Sequence, residues 1–226
     1  MHRDSMRPTR VYLIDDHPLF RSGLRRALED DGRFECVGEA DDAPTALSAL
    51  RQVQVDVVVV DLALRSGSGL DVIAALRTEG GLFRALVLSM HDEHLYAERA
   101  LRAGARGYVS KDLAPRAICD AVARVARGEL VMSERMQNLL IQRAVSGQEV
   151  STNPLAALSD RELEVFRLIA ASLKTSVIAR TLHISPKTVE SHRARIKSKL
   201  GLDSPAELLR AAIAAFPEID APPRSS

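Results

Sequence analysis

Hydrophobic positions along this chain fall into two regimes. Up to about residue 128, short β-branched runs alternate with stretches whose apolar residues recur at helical spacing. The densest run is Val57-Val58-Val59-Val60, preceded by Val55-Asp56 and ended by Asp61. Such a run suits a central parallel strand covered by helices on both faces. Val11–Ile14, Phe34–Gly38, Ala85–Ser89 and Gly107–Lys111 read as four further strands. Between them the spacing predicts five helices. Pro18 opens the first, with Phe20, Leu24, Ala27 and Leu28 inward. The second covers 43–50, and the third starts at Gly69 with Leu70, Ile73 and Ala74 inward. The fourth carries Ala97, Ala100 and Leu101 and stops at Gly104. Pro115 opens the fifth, with Ile118, Val122 and Val125 on one face.

Five strands, each followed by a helix, imply an α/β fold with a doubly wound parallel sheet. Right-handed crossovers then bring every strand C-terminus to one edge, where such folds build their sites. Asp15, Asp16, Asp61, Ser89 and Lys111 meet there. Asp61 is expected at the mouth of a crevice rather than in the core. Tyr108 reads as a half-buried strand residue.

The pattern changes after residue 128. Ser133 is placed to cap a helix running to Val145, with Met136, Leu139 and Leu140 on one side. Residues 146–154 are polar, contain glycine and proline, and show no periodicity, which describes a tether. Four short helices follow. Leu158-Ser159-Asp160-Arg161-Glu162-Leu163 predicts a capping box between Ser159 and Glu162 and a staple of Leu158 on Leu163. A short helix spans 174–182, and His183-Ile184 turns the chain. Ser185-Pro186 caps the third helix, with Val189, Ile196 and Leu200 inward and Gly201 as its stop. Ser204-Pro205-Ala206-Glu207 repeats the capping logic for the fourth, which ends before Pro217.

Two short helices around a tight turn, the second capped and basic, describe a helix-turn-helix. Lys187, Arg193, Arg195, Lys197 and Lys199 stand against Glu190 on that helix, so 5 − 1 gives +4 in a protein of formal net charge +1. A local basic face of this kind is a footprint of DNA binding. Lys187, Thr188, Glu190, Ser191 and Ala194 lie on its base-reading part, whereas Arg193, Arg195, Lys197 and Lys199 suit phosphates. His192 is expected to pack or to face phosphate. The fourth helix, rich in alanine, suits either pairing of two such domains or simple cover of the third helix. The 226 residues suit two small domains. Cys36 and Cys119 are too few for a disulfide framework, no apolar run spans a bilayer, and the N-terminus lacks a signal core, so a cytoplasmic chain is expected.

The clustered carboxylates repel and need a cation. Carboxylates with open water positions suit Mg²⁺, and a bound Mg²⁺ with a lysine beside it attracts phosphate oxygens. A carboxylate can itself be the nucleophile, giving an aspartyl-phosphate. Asp15-Asp16, Asp61, Ser89 and Gly107-Tyr108-Val109-Ser110-Lys111 together resemble the receiver domain of two-component response regulators. Leu158-Ser159-Asp160-Arg161-Glu162-Leu163-Glu164-Val165, Ile178-Ala179, Ile184 to His192, and Lys199-Leu200-Gly201-Leu202 resemble the LuxR-type DNA-binding domain. The whole resembles a NarL/FixJ-family transcriptional regulator. It implies a five-stranded, flavodoxin-like receiver over 9–128, a partly helical linker over 129–153, and an all-α four-helix domain over 154–219.

The resemblance further implies that a sensor histidine kinase phosphorylates Asp61. Asp15, Asp16, Asp61 and the backbone carbonyl of Ala63 would hold Mg²⁺. Lys111 would hold a phosphoryl oxygen, and Ser89 and Tyr108 would move as switch residues. Phosphorylation would then promote homodimers on two-fold sites in double-stranded DNA. Five positions depart from the family pattern. Arg65 replaces a common proline, so the loop 64–69 is expected to be looser or to place a positive charge near the site. Ala63 leaves no polar side chain to guide attacking water, and an intermediate phosphoryl lifetime is expected. Ser172 stands where glycine is frequent, and Ser176-Val177 where Lys-Glu is frequent. Two other readings stay open. A phosphohydrolase could use Asp61 as nucleophile, but the usual second acid two residues on is Ala63, so no enzyme is expected. A DNA-binding regulator could use its receiver only to dimerise, independently of phosphorylation.

Overall fold

The computed structural model describes residues 7–80, 83–90, 93–146, 154–182 and 184–216. The chain divides into two compact units, residues 1–145 and 146–226. The first contains β1 (Thr9–Ile14), α1 (Pro18–Asp31), β2 (Phe34–Ala40), α2 (Ala43–Leu50), β3 (Val57–Val60) and α3 (Gly69–Thr78). It continues through β4 (Arg84–Ser89), α4 (Glu93–Ala103), β5 (Ala105–Ser110), α5 (Pro115–Ala126) and α6 (Glu134–Ser146). The strands form one sheet in the order β2-β1-β3-β4-β5, every neighbouring pair parallel. That is the doubly wound sheet the alternation predicts.

Two strands outrun their apolar signal. β1 begins at Thr9, whose N–H donates to the Arg33 carbonyl, and β2 runs on to Ala40. The four valines of β3 are all buried, as a strand covered on both faces requires. On α3 the buried face is Leu70, Val72, Ile73 and Leu76, while Ala74 is exposed, a correction to the predicted stripe. Helical steps of about 100° put Ala74 on the far side from Val72 and Leu76.

After α5 the chain returns to the edge of the sheet. Val131 donates its N–H to the Arg106 carbonyl and accepts from the Tyr108 N–H, adding a short parallel bridge to β5. Gly107 permits this approach, because a Cβ there would stand 2.8 Å from the Val131 carbonyl oxygen and 2.8 Å from Leu86 Cδ1. Ser133 Oγ then accepts from the Met136 N–H and caps α6 as its position predicts. Most of the predicted tether, residues 147–153, lies outside the described residues, as do His183 and Pro217.

The second unit holds a 3₁₀ turn (Pro154–Ala157), α7 (Asp160–Ala170), α8 (Thr175–Thr181), α9 (Pro186–Leu200) and α10 (Pro205–Ala215). Both predicted capping boxes form, Ser159 with Glu162 and Ser204 with Glu207. Leu158 and Leu163 are buried beside the first. Its core gathers Val165, Phe166, Ile169, Ile178, Val189, Ile196, Leu208 and Ala212, and Phe166 meets Phe216 edge to face at 6.0 Å. Leu200, predicted inward, is only half-buried. Ser172 has φ of +54°, so this serine keeps the left-handed turn that glycine would take more easily. No helix among the described residues is long and apolar enough to cross a membrane.

Candidate functional site

The sheet register assembles the first site. Val11 to Ile14 pair with Val57 to Val60, so Asp15 and Asp61 leave adjacent strands at the same level. The Asp61 N–H donates to the Ile14 carbonyl and the Asp15 N–H to that of Ala40. On the other side Ser89 pairs with Ser110, and the Lys111 N–H donates to the Ser89 carbonyl. The backbone thus delivers Asp15, Asp61 and Lys111 to one point.

Asp61 is 4% exposed and Asp15 6%, so both are buried rather than open at a crevice mouth. For Asp61, α3 contributes. Its first residue, Gly69, packs onto the Asp61 backbone so closely that a Cβ would stand 2.0 Å from the Asp61 carbonyl oxygen. Lys111, also buried, donates from Nζ to Asp61 Oδ2 at 2.7 Å and lies 2.6 Å from Asp15 Oδ2. The same ammonium sits 4.8 Å from the centre of the Phe20 ring. Burial pushes the Asp61 carboxyl up to about 6, against the pull of Lys111 and with a further push from Asp15. Asp61 Oδ1 accepts only a long bond from the Ala63 N–H, 3.4 Å.

Asp16 is less buried. Its Oδ1 lies 2.8 Å from His17 Nδ1, but off the hydrogen-bonding direction, and accepts no hydrogen bond. The ring of His17, the residue before Pro18 and one that the sequence pattern does not single out, therefore belongs to this cluster. Arg21 was also missed. Its guanidinium donates to the Asp15 carbonyl and faces Glu39 Oε2 at 3.6 Å. Spacing gives the only signal for either, one residue and one turn and a half beyond Asp16.

Ser89 is wholly buried, and Tyr108, expected half-buried, is 1% exposed. The loop after Asp61 is fastened rather than loose. Ala63 bridges Ser68, the Ser66 carbonyl accepts from the Ala43 N–H, and the Gly69 N–H donates to the Leu62 carbonyl. Arg65 pairs with Asp41 at 2.9 Å, so its charge is answered there.

The second site is the outward stripe of α9. Lys187, Glu190, Ser191, Ala194 and Arg195 are exposed along it, joined by Ser198, which sequence reasoning did not single out. Lys197 is half-buried. Thr188 is engaged in the cap, its N–H donating to Ser185 Oγ at 3.0 Å. The Thr175 hydroxyl donates to Glu190 at 2.8 Å, and Arg193 reaches both residues, so these three brace α8 against α9. Lys199, assigned from its charge to phosphates, donates to the buried Glu162 at 2.7 Å. That pair locks α9 to the capping box of α7. His192 is half-buried; burial, then Arg161 and Arg195, hold its imidazole below the usual range.

The family model for the response regulator receiver domain matches residues 11–123, and that for bacterial regulatory proteins of the luxR family matches residues 156–212. A nitrate/nitrite response regulator protein homolog of Haemophilus influenzae is 37% identical over 86% of this chain and 91% of its own length. Response regulator UvrY of Escherichia coli is 34% identical over 90% and 93%. Among solved structures, the receiver domain of the putative response regulator NarL from Mycobacterium tuberculosis is 39% identical, with TM-score 0.52, over 54% of this chain and 98% of that one. RcsB from Salmonella enterica serovar Typhimurium, bound to promoter rprA in the presence of the phosphomimetic BeF3⁻, is 26% identical with TM-score 0.59, over 92% and 99%.

Proposed function

This chain belongs to the response regulators that join a receiver domain to a LuxR-type DNA-binding domain, and on that premise we propose that Asp61 is the phosphoacceptor through which a sensor histidine kinase controls DNA binding. The observation that carries this is the pairing of Asp61 with Lys111 at 2.7 Å beside two further carboxylates. Lys111 neutralises one charge of three, which leaves two for a divalent cation. Asp15, Asp16 and Asp61 offer oxygen donors, one of them buried without a hydrogen bond, and that set suits Mg²⁺. With the Ala63 carbonyl they would hold the ion, which when bound neutralises charge on the phosphoryl oxygens.

The protein's own groups do the rest. Asp61 Oδ1 attacks phosphorus as the P–N bond to the kinase histidine breaks and the imidazole leaves, Lys111 moves from the carboxylates to a phosphoryl oxygen, and Gly69 keeps the Asp61 backbone fixed. Ser89 and Tyr108 respond as switch residues, and Ala63 leaves attacking water unguided, giving a phosphoryl group of intermediate lifetime. On this reading the chain is an acceptor that regulates transcription in the cytoplasm, not a turnover enzyme. Lys187, Ser191 and Ala194 read bases on a two-fold promoter site, with Glu190 contributing from its Thr175 contact. Arg195 and Lys197 hold phosphates, and Thr188, Arg193 and Lys199 set the helix that carries them. Phosphorylation favours the homodimer that spans the site. The test is DNA affinity with and without acetyl phosphate. The parent should bind its promoter more tightly with the donor, and Asp61→Asn should show no response. Equal donor response in both proteins would remove Asp61 from the account.

A further inference from the structure

The acidic cluster contains a nitrogen donor that phosphoryl transfer leaves unused. His17 occupies the N-cap of α1, yet its side chain caps nothing there. Its Nδ1 instead lies 2.8 Å from Asp16 Oδ1, 3.3 Å from Asp15 Oδ1 and 3.9 Å from Asp61 Oδ2. One N–H cannot serve three carboxylates, and Asp16 Oδ1 accepts no hydrogen bond. The Nδ1 contact with Asp15 Oδ1 has hydrogen-bonding geometry and holds the ring beside the point those oxygens share. One ligand atom from each of Asp15, Asp16, His17 and Asp61 lies within 4.8 Å of the others. Donors bonded at about 2.1 Å stand up to roughly 4.2 Å apart across an ion, so small side-chain movements close this set around one. The His17 side chain is 65% exposed, so its ring can swing toward or away from the cluster without unpacking anything.

We propose that His17 is a fourth ligand at this site and sets its choice of metal, coordinating Zn²⁺ and standing aside for Mg²⁺. The inference rests on the reading of the acidic cluster as a cation site. Its chemistry is ligand softness. Mg²⁺ takes oxygen and water, whereas Zn²⁺ accepts an imidazole beside carboxylates and favours four donors. The same pocket then offers an all-oxygen set to one ion and a mixed set to the other. Zn²⁺ bound through His17 competes directly with the ion that phosphorylation requires.

The test measures Zn²⁺ and Mg²⁺ affinities of the full chain, with chelator-buffered zinc and excess Mg²⁺ as competitor. His17→Ala and Asp16→Asn are run beside the parent. The parent should bind one Zn²⁺ that Mg²⁺ displaces. His17→Ala should weaken that zinc by at least about tenfold and leave Mg²⁺ within about twofold. X-ray absorption at the zinc edge should show imidazole scattering in the parent, and it should disappear in His17→Ala. Equal shifts for both metals, or no shift, would overturn the role of His17 while leaving the cation site in place. So would zinc that Mg²⁺ does not displace or that Asp16→Asn leaves unchanged, because it would be bound elsewhere. Absence of any Mg²⁺ binding sensitive to Asp16→Asn would instead remove the cation site itself.

Discussion

Single residues decide how tightly the acidic site is held. The carboxylates at the strand ends are legible in the sequence, because apolar runs end on them. Their depth is not, because it depends on Gly69, whose missing side chain lets α3 press on the Asp61 carbonyl. Gly69→Ala should destabilise the receiver by about 1–3 kcal/mol and slow phosphorylation of Asp61. Urea unfolding and the rate of labelling by acetyl phosphate check both effects. A variant with parent stability would show that the close approach carries no weight. Ser172 makes the opposite case. The family pattern flags the position, and the structure supplies the reason in its φ of +54°. Ser172→Gly should raise the stability of the DNA-binding unit by about 1 kcal/mol, read as a higher urea midpoint at unchanged slope. His17 was missed for the same reason as Gly69. Neither residue carries a periodic signal, and each gains its place from Asp61, which the fold brings to it.

At the scale of elements, caps and apolar stripes were read well because they are local. Both capping boxes sit where Ser-x-x-Glu places them. Partners across elements were not legible. The charge of Lys199 suggests phosphate, yet its contact is Glu162 on α7, whose Oε2 also accepts from the Ser159 N–H at 2.7 Å. Burial pushes the Glu162 carboxyl up, but the bonds from Lys199 and Ser159 outweigh it and hold the group below the usual range. A lowered folded pKa contributes stability that is complete above the ordinary glutamate range and is lost as pH falls through the lowered value. Glu162→Gln should cost about 1 kcal/mol near neutral pH and flatten the acid limb of the stability curve. Parallel curves for parent and variant would show that the pair is not coupled to folding. The Val131 bridge on β5 was equally invisible, since one valine after a helix carries no strand signal.

The whole molecule is two units with two sites, and its bulk charge of +1 hides both. The alternation of strand and helix gave the sheet, and its order follows from the register of β1, β3, β4 and β5. Short helices with strong caps gave the second unit. The geometry adds which charges are free to act. Lys187 and Arg195 face outward on α9, whereas Arg193 and Lys199 are engaged inside the unit. In the proposed function, control of one unit by the other begins with a single covalent event at Asp61. The most direct measurement is therefore intact mass after incubation with acetyl phosphate and Mg²⁺, with Asp61→Asn alongside. The account predicts gain of one phosphoryl group by the parent and none by the variant. Equal gain by both proteins, or none by the parent even when it is paired with its own kinase, would contradict it.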